Sequence, residues 1–152
     1  MYRIICIGKI KEEYLTKGIL EYKKRINGFS SLEIIELKEY NTLDISKNVE
    51  NEGKEILSRI KNDDYVISLE IEGNVINSVE FSQYLEKLST YGKSRIIFVI
   101  GGSNGLSNEV KKRSDYALSF SKMTFPHQLM RLIIMEQIYR ALTIMNNREY
   151  HK

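Results

Sequence analysis

Five short runs rich in β-branched and aromatic residues, separated by stretches of helical periodicity, constrain the fold of this chain more than any other feature. The runs cover residues 2–7, 32–37, 65–71, 95–100 and 116–120. Between the first four runs, apolar residues recur three and four positions apart, over residues 15–26, 45–60 and 79–88. This alternation of strand and helix predicts an α/β fold with a mostly parallel sheet and flanking helices.

From the fourth run onward, the sequence also predicts where individual strands and helices begin. The run RIIFVI is apolar throughout, which is typical of a central strand covered on both faces. Ser107 is placed to cap a short helix that begins at Asn108. Pro126 stands where a final helix over residues 127–145 can begin, because its missing N–H is not needed there. The apolar face of that helix is too wide for one sheet alone, so we expect a second buried contact, most simply a two-fold dimer.

Length and composition favour a single domain over residues 1–152. The chain is 42% apolar, has one proline and contains no low-complexity segment, so we expect neither a linker nor an internal repeat. The late apolar stretch LMRLIIMEQIYRAL is interrupted by charged residues and is too short to span a bilayer. The N-terminal run is predicted to be a strand and not a signal peptide. We therefore expect a soluble, cytoplasmic protein without a membrane contact.

The cysteine content excludes two kinds of site. Cys6 is the only cysteine and lies in the first predicted strand. Neither a disulfide framework nor a cysteine-based metal cluster can form from one thiol. We expect Cys6 to be a buried core residue and the protein to need no metal.

A glycine-rich loop follows the predicted central strand. In IGGSNGLS, over residues 100–107, the glycine spacing fits neither the dinucleotide fingerprint nor the phosphate loop of nucleotide triphosphatases. A nicotinamide-dependent oxidoreductase is disfavoured for this reason and because no acidic residue ends the next strand. Two interpretations remain open: the backbone approaches a ligand closely, or the loop is a plain tight turn with Asn104-Gly105 at its corner.

Charge is distributed unevenly along the chain. Residues 1–25 contain seven Lys/Arg against three acids, residues 26–110 eight against fourteen, and residues 111–152 eight against three. Basic ends around an acidic middle suggest an anionic partner at the termini, although solvation of a charged surface accounts for the same bias. The basic tail and five N-terminal residues are candidates for contacts with RNA phosphates: Lys9, Lys11, Lys23, Lys24 and Arg25.

Polar side chains gather around the last predicted helix and the tail behind it. Both histidines of the chain lie there, with three of its arginines. His127 and Arg131 share a helix face, as do Glu136 and Arg140. Helix capping and a weak surface ion pair would account for them. Alternatively they form a functional cluster, in which the tail REYHK stacks on a base and contacts phosphate.

Together, IGGSNGLS and SFSKMTFPHQLMRLIIMEQIYRALTIMNNREYHK resemble the signature of the ribosomal large-subunit pseudouridine N3-methyltransferases, a family of the SPOUT superfamily. The N-terminal IGKIKEEYLTKGILEYKKR also fits, so the resemblance covers the whole chain. It implies an α/β fold with a C-terminal trefoil knot, where general topology rules predict an ordinary doubly wound sheet. It also implies a homodimer with each site at the subunit interface, and 23S ribosomal RNA in the assembled ribosome as partner.

The resemblance further implies a cofactor and the residues that hold it. The cofactor is S-adenosylmethionine, whose adenine and thioether-bound methyl group suit apolar walls and backbone hydrogen bonds. The implied contacts come from three loops that follow strands: Leu69, Gly101, Phe120, Ser121, Lys122, Met123, Thr124 and Phe125.

The implied reaction is methyl transfer to N3 of a pseudouridine, with four candidate catalytic residues: His127, Arg140, Tyr150 and His151. Arg140 would stabilise negative charge on the base carbonyls, and His127, Tyr150 or His151 would relay the proton. The motif does not name the base. Two alternatives remain: a SPOUT-type transfer RNA methyltransferase, and a non-enzymatic RNA-binding protein, which would leave the apolar SKMTF segment without a purpose.

Overall fold

Five parallel strands and five helices make up the computed structural model, which describes residues 1–152. The strands are β1 (Tyr2–Ile7), β2 (Leu32–Leu37), β3 (Tyr65–Val75), β4 (Ile96–Ile100) and β5 (Tyr116–Ser119). The helices are α1 (Glu13–Asn27), α2 (Ile45–Leu57), α3 (Ser78–Thr90), α4 (Asn108–Arg113) and α5 (His127–Met145). One sheet contains all the strands in the order β2-β1-β4-β3-β5. The predicted α/β class and parallel sheet are confirmed.

Strand β3 is the element that differs most from its prediction, because it continues beyond residue 71 to Val75. Its pairing with β5 shifts register between Leu69 and Asn74. Gly73 lets the two backbones meet, since a Cβ there would lie 2.8 Å from the Ala117 carbonyl. The Asn74 amide donates a hydrogen bond of 2.9 Å to the same carbonyl. A Glu-Gly-Asn segment is typical of a turn, so this irregular strand end could not be predicted from the sequence pattern.

Helices cover both faces of the sheet. Along β4, Ile96, Phe98 and Ile100 pack into a cluster with α1, α3 and α5, whereas Ile97 and Val99 pack into a smaller cluster with α2 and α4. All residues of β4 are buried. This is the central strand that its unbroken apolar run predicts.

Helix α5 lies between α1 and α3 on one face of the sheet. Every one of its residues is buried or half-buried. Packing against α1 and α3 thus supplies a second contact within the chain, while Leu129, Leu132 and Ile133 stay half-buried, and the dimer stays a prediction. The helix begins at His127 directly after Pro126, and the short helix α4 begins at Asn108 with the Ser107 hydroxyl accepting from the Val110 N–H, both as predicted.

Across residues 1–152, no helix has the length and apolar content that a membrane crossing requires.

Cys6 lies in the core, fully buried in β1, and its thiol donates to the Ile35 carbonyl at 3.4 Å. Burial raises the pKa of this thiol to about 12. The thiolate is the reactive form, so the native protein should not react with iodoacetamide near pH 8. After unfolding in guanidinium the same thiol should be alkylated rapidly, as read by mass spectrometry. Comparable labelling rates in the native and unfolded protein would contradict this placement.

Candidate functional site

A cavity of about 540 Å³ opens at the carboxyl ends of β3, β4 and β5. It is lined by residues 69–71, by most of 100–106 and by most of 118–130. Its volume lies within the range of about 300–1,000 Å³ that small-molecule sites occupy. Ligands in open α/β sheets bind outside the carboxyl ends of strands, which is where this cavity lies.

The glycine loop after β4 forms one wall. The Gly105 N–H donates to the Gly102 carbonyl at 3.1 Å, and Gly105 has a φ of +81°. The tight turn with Asn104-Gly105 at its corner is therefore present. Gly101 fills a second role, since a Cβ there would lie 2.9 Å from the Gly105 carbonyl carbon and oxygen. The loop is a tight turn and its backbone lines the cavity, while its close approach to a ligand stays a prediction.

The segment after β5 forms the opposite wall. The Ser121 hydroxyl accepts from the Met123 N–H at 3.0 Å, while the Ser119 hydroxyl donates to the Ser121 carbonyl at 3.1 Å. These bonds fold residues 119–123 into a compact loop. Of the cofactor residues implied by the resemblance, those lining the cavity are Leu69, Gly101, Phe120, Ser121, Met123, Thr124 and Phe125. Lys122 is exposed and does not line it.

Several lining residues escaped the sequence analysis. They include Glu70, Ile71, Leu106, Leu118 and Met130. Glu70, Ile71 and Leu118 lie within the later parts of β3 and β5, and Leu106 lies in the glycine loop, so proximity to the predicted strand ends was the available signal. No sequence signal marked Met130 as a lining residue, because the apolar pattern assigned its helix wholly to core packing.

The chemistry of the lining suits a nucleoside-like ligand without phosphates. No Lys or Arg lines the cavity, and its walls are mainly apolar side chains and backbone. Glu70 also lines the cavity, and its carboxylate accepts from the Ser68 hydroxyl at 2.6 Å and lies 4.0 Å from the Lys111 ammonium. The lining therefore offers no cluster of positive charge for a phosphate group.

His127 is the one candidate catalytic residue that reaches the cavity. It is the first residue of α5 and stands next to the turn after β1. A Cβ on Gly8 would lie 4.0 Å from the His127 Nε2 atom and 3.7 Å from the Glu39 Oε2 atom. Glu39 also accepts from the Ser103 hydroxyl at 3.4 Å, so this carboxylate contacts the glycine loop and borders the turn at Gly8. No pattern in the sequence predicts this placement of Glu39, because it depends on the sheet order.

The other three candidates form a separate polar cluster around Glu136. The Glu136 Oε1 atom accepts from Arg140 Nε at 3.0 Å and from the Tyr150 hydroxyl at 3.1 Å. Arg140 Nη1 lies 3.1 Å from His151 Nδ1, and the Arg140 guanidinium stacks 4.8 Å above the centre of the Tyr150 ring. We call this group the tail cluster: Glu136, Arg140, Tyr150, His151 and Tyr22, whose hydroxyl lies 3.1 Å from that of Tyr150.

The tail cluster is more than a surface ion pair. The Glu136 and Arg140 side chains are 19% and 24% exposed and share their contact with the tail. Burial, together with hydrogen bonds to Tyr22 and Glu136, raises the pKa of Tyr150. Its hydroxyl is therefore protonated at neutral pH and donates to Glu136.

The cavity and the tail cluster lie at opposite ends of α5. His127 and Arg140 are thirteen positions apart on this helix, which at 1.5 Å per residue separates them by about 20 Å. One chain thus brings Arg140, Tyr150 and His151 together but does not join them to His127. No three His, Cys, Asp or Glu side chains lie together in a way that could hold a metal ion.

Comparison with known proteins places this geometry in context. The family described as "Predicted SPOUT methyltransferase" matches residues 1–151. The chain is 55% identical to the "Ribosomal RNA large subunit methyltransferase H" of Fusobacterium nucleatum, covering 98% of this chain and 97% of that protein. It is 52% identical to a protein named "Ribosomal RNA large subunit methyltransferase H" in Clostridium perfringens, covering 98% of each.

Two solved structures share the fold at low sequence identity. One is a probable methyltransferase from Bordetella pertussis, with a TM-score of 0.55 and 10% identity, covering 93% of this chain and 95% of the other. The second is the tRNA (m1G37) methyltransferase from Aquifex aeolicus, with a TM-score of 0.53 and 14% identity, covering 91% and 69%. At such identities the likeness extends to the fold alone.

The substitution Gly101→Ala tests the glycine wall. The added methyl group would displace the Gly105 backbone, so affinity for S-adenosylmethionine, measured by calorimetry, should fall by about tenfold or more, equivalent to about 1.4 kcal/mol. Gly92→Ala is the matched control, since Gly92 has a φ of +80° with no atom within 4 Å of a Cβ and lies at the other end of the sheet. The control should lose stability by about 1 kcal/mol and keep its affinity. Equal affinity losses in the two variants would contradict this account.

Proposed function

The chain belongs to the SPOUT methyltransferase family, and on that premise we propose that it methylates N3 of a pseudouridine in large-subunit (23S) ribosomal RNA, using S-adenosylmethionine. Relatives that share half or more of its residues over their whole length are named ribosomal RNA large subunit methyltransferases. The observation that carries the proposal is the mainly apolar cavity at the ends of three parallel strands, whose lining contains no lysine or arginine.

The residues of the cavity fit the proposed cofactor. The strand end at residues 69–71, the glycine loop and residues 119–125 would hold it through apolar contacts and backbone groups. When bound, S-adenosylmethionine supplies an activated methyl group, so the protein mainly has to position the acceptor, and such positioning can be worth effective molarities of about 10⁵–10⁸ M.

Removing the proton from the accepting nitrogen is the second task. A positioned general base contributes about 10²- to 10⁴-fold. Because the Tyr150 hydroxyl donates to Glu136, the remaining candidates for the proton relay are His127 and His151. Arg140 keeps its positive charge, since the hydrogen bond to Glu136 raises its pKa, and would stabilise negative charge on the base carbonyls.

A homodimer would join the two polar sites that lie about 20 Å apart in one chain. We propose that one subunit supplies the cavity and the other supplies the tail cluster. The composite site needs no new residues, because each chain carries both halves. The dimer is supported by the separation of the two sites along α5 and by the family resemblance.

Three further features are proposed on the same basis. Residues 1–152 would be a single SPOUT methyltransferase domain, its C-terminal part would form the trefoil knot of the superfamily, and the protein would act in the cytoplasm, where ribosomes are assembled. The family match over residues 1–151 supports the first two.

Substrate class is tested by offering methyl-labelled S-adenosylmethionine with assembled ribosomes, free subunits, naked ribosomal RNA or transfer RNA. We expect label in 23S RNA from assembled ribosomes and none in transfer RNA. Nucleoside analysis should locate the methyl group on N3 of pseudouridine. Labelled transfer RNA would instead support a transfer RNA methyltransferase, and cofactor binding without any labelled RNA would contradict the proposed activity.

The composite site is tested with Arg140→Ala and with a chain ending before Tyr150. Each should bind S-adenosylmethionine normally and lose methylation, whereas Arg59→Ala, an exposed arginine beyond α2, should keep both. Mixing Arg140→Ala with Gly101→Ala subunits should restore activity, because randomly paired dimers regain about a quarter of intact sites. Full activity of Arg140→Ala, or no recovery after subunit exchange, would contradict the assignment.

A further inference from the structure

We infer that Arg131 is a positioning residue for the cofactor cavity: its buried guanidinium ties the first turn of α5 to the carboxyl ends of β1 and β2, and thereby holds the His127 wall in place. The inference rests on the proposed function for the identity of the ligand. Its structural content, the placement of His127, is independent of that ligand.

Arg131 is unusually placed for an arginine. The residue is 1% exposed, and its Nη1 atom lies 2.5 Å from the Glu36 Oε2 atom. Its Nη2 atom donates to the Gly8 carbonyl at 3.0 Å, while its buried Nε has no acceptor. The Glu36 side chain is 39% exposed, so the pair joins a buried guanidinium to a partly solvated carboxylate, and such a pair contributes little net stability after the arginine is desolvated. A role in geometry therefore explains this arginine better than a role in stability.

The contacts of Arg131 converge on the turn that follows β1. Gly8 has a φ of +86°, which turns the chain sharply and presents its carbonyl to the guanidinium. The same turn is held by the Ile10 N–H, which donates to Glu36 at 3.4 Å, and by the Lys11 N–H, which donates to Gln128 at 3.2 Å. Residues 8–11 are thus fastened to β2 and to the start of α5.

The turn formed by residues 8–11 lies next to the cavity at His127. The space above Gly8 is bounded by His127 Nε2, 4.0 Å from the position of a Cβ. Arg131 follows His127 by one helical turn and directly follows Met130, and both of these residues line the cavity. Movement of the Arg131 guanidinium would therefore shift His127 and Met130, which line the cavity proposed to hold the cofactor.

A second ion pair provides a matched control. Arg95 Nε lies 2.6 Å from Asp64 Oδ1, and Arg95 Nη2 donates to Asp64 Oδ2 at 2.7 Å. These side chains are 19% and 2% exposed, and they lie at the amino ends of β3 and β4, away from the cavity. A role confined to stability would make the two pairs equivalent in a binding assay.

The binding experiment compares Arg131→Lys and Arg131→Met/Glu36→Gln with Arg95→Lys and Arg95→Met/Asp64→Asn. Thermal unfolding is measured for each variant, and affinity for S-adenosylmethionine is measured by calorimetry. We expect the Arg131 variants to lose affinity by about tenfold or more and the Arg95 variants to stay within about twofold at comparable stability. The same affinity in both sets, or a loss that follows thermal stability alone, would overturn the inference.

A readout without ligand separates this inference from the proposed function. The chain has two histidines, so the ring signals of His127 and His151 can be assigned by NMR with a His151→Gln variant. Arg131→Lys, the mildest change, should shift the His127 signals and leave those of His151 in place, while Arg95→Lys should move neither. Unchanged His127 signals would overturn the positioning role. A wild-type protein that does not bind S-adenosylmethionine would instead overturn the proposed function.

Discussion

Burial of β4 on both faces is the constraint on which the rest of the structure depends. Phe98 and its neighbours on one face need α1, α3 and α5, while Val99 and Ile97 on the other need α2 and α4. Strands covered by helices on both sides are connected by crossovers, which makes them parallel. Their carboxyl ends then share one edge of the sheet, so the loops after β3, β4 and β5 come together without any contact dedicated to that purpose.

Close approach of backbones shapes that edge more than side-chain packing does. Gly73 allows β3 to press against Ala117, and Gly101 allows the glycine loop to fold against Gly105. In both places a methyl group would collide with a carbonyl. The cavity beside Gly101 is lined mainly by apolar side chains, and the backbone of the glycine loop forms one of its walls. A loop that lines an apolar cavity does not have to neutralise a phosphate group. This explains why the glycine loop follows neither phosphate-binding pattern.

The elements could be predicted from sequence because each depends on local periodicity. The five strands, the start of α5 and the cap at Ser107 are properties of a few neighbouring residues. Residues 120–125 required the family resemblance, since no spacing rule assigns them to a ligand. Glu39 and Arg131 could not be placed from sequence, because their positions depend on β2 lying beside β1. The wide face of α5 could not be assigned to a partner, since pattern alone cannot tell a neighbouring helix of the same chain from a second subunit.

Helix α5 carries residues of both proposed sites, the cavity and the tail cluster, on one rigid element. Its first turn carries His127 at the cavity, its buried side packs between α1 and α3, and its middle and later turns carry Glu136 and Arg140. A continuous helix fixes the distance between these groups, so no local motion within one chain brings Arg140 to the cavity. In the proposed dimer this restriction would not apply, because the tail cluster at the cavity would come from the second copy. The length of a single helix thus gives a geometric reason for a shared site, and that reason does not depend on the apolar width of its surface.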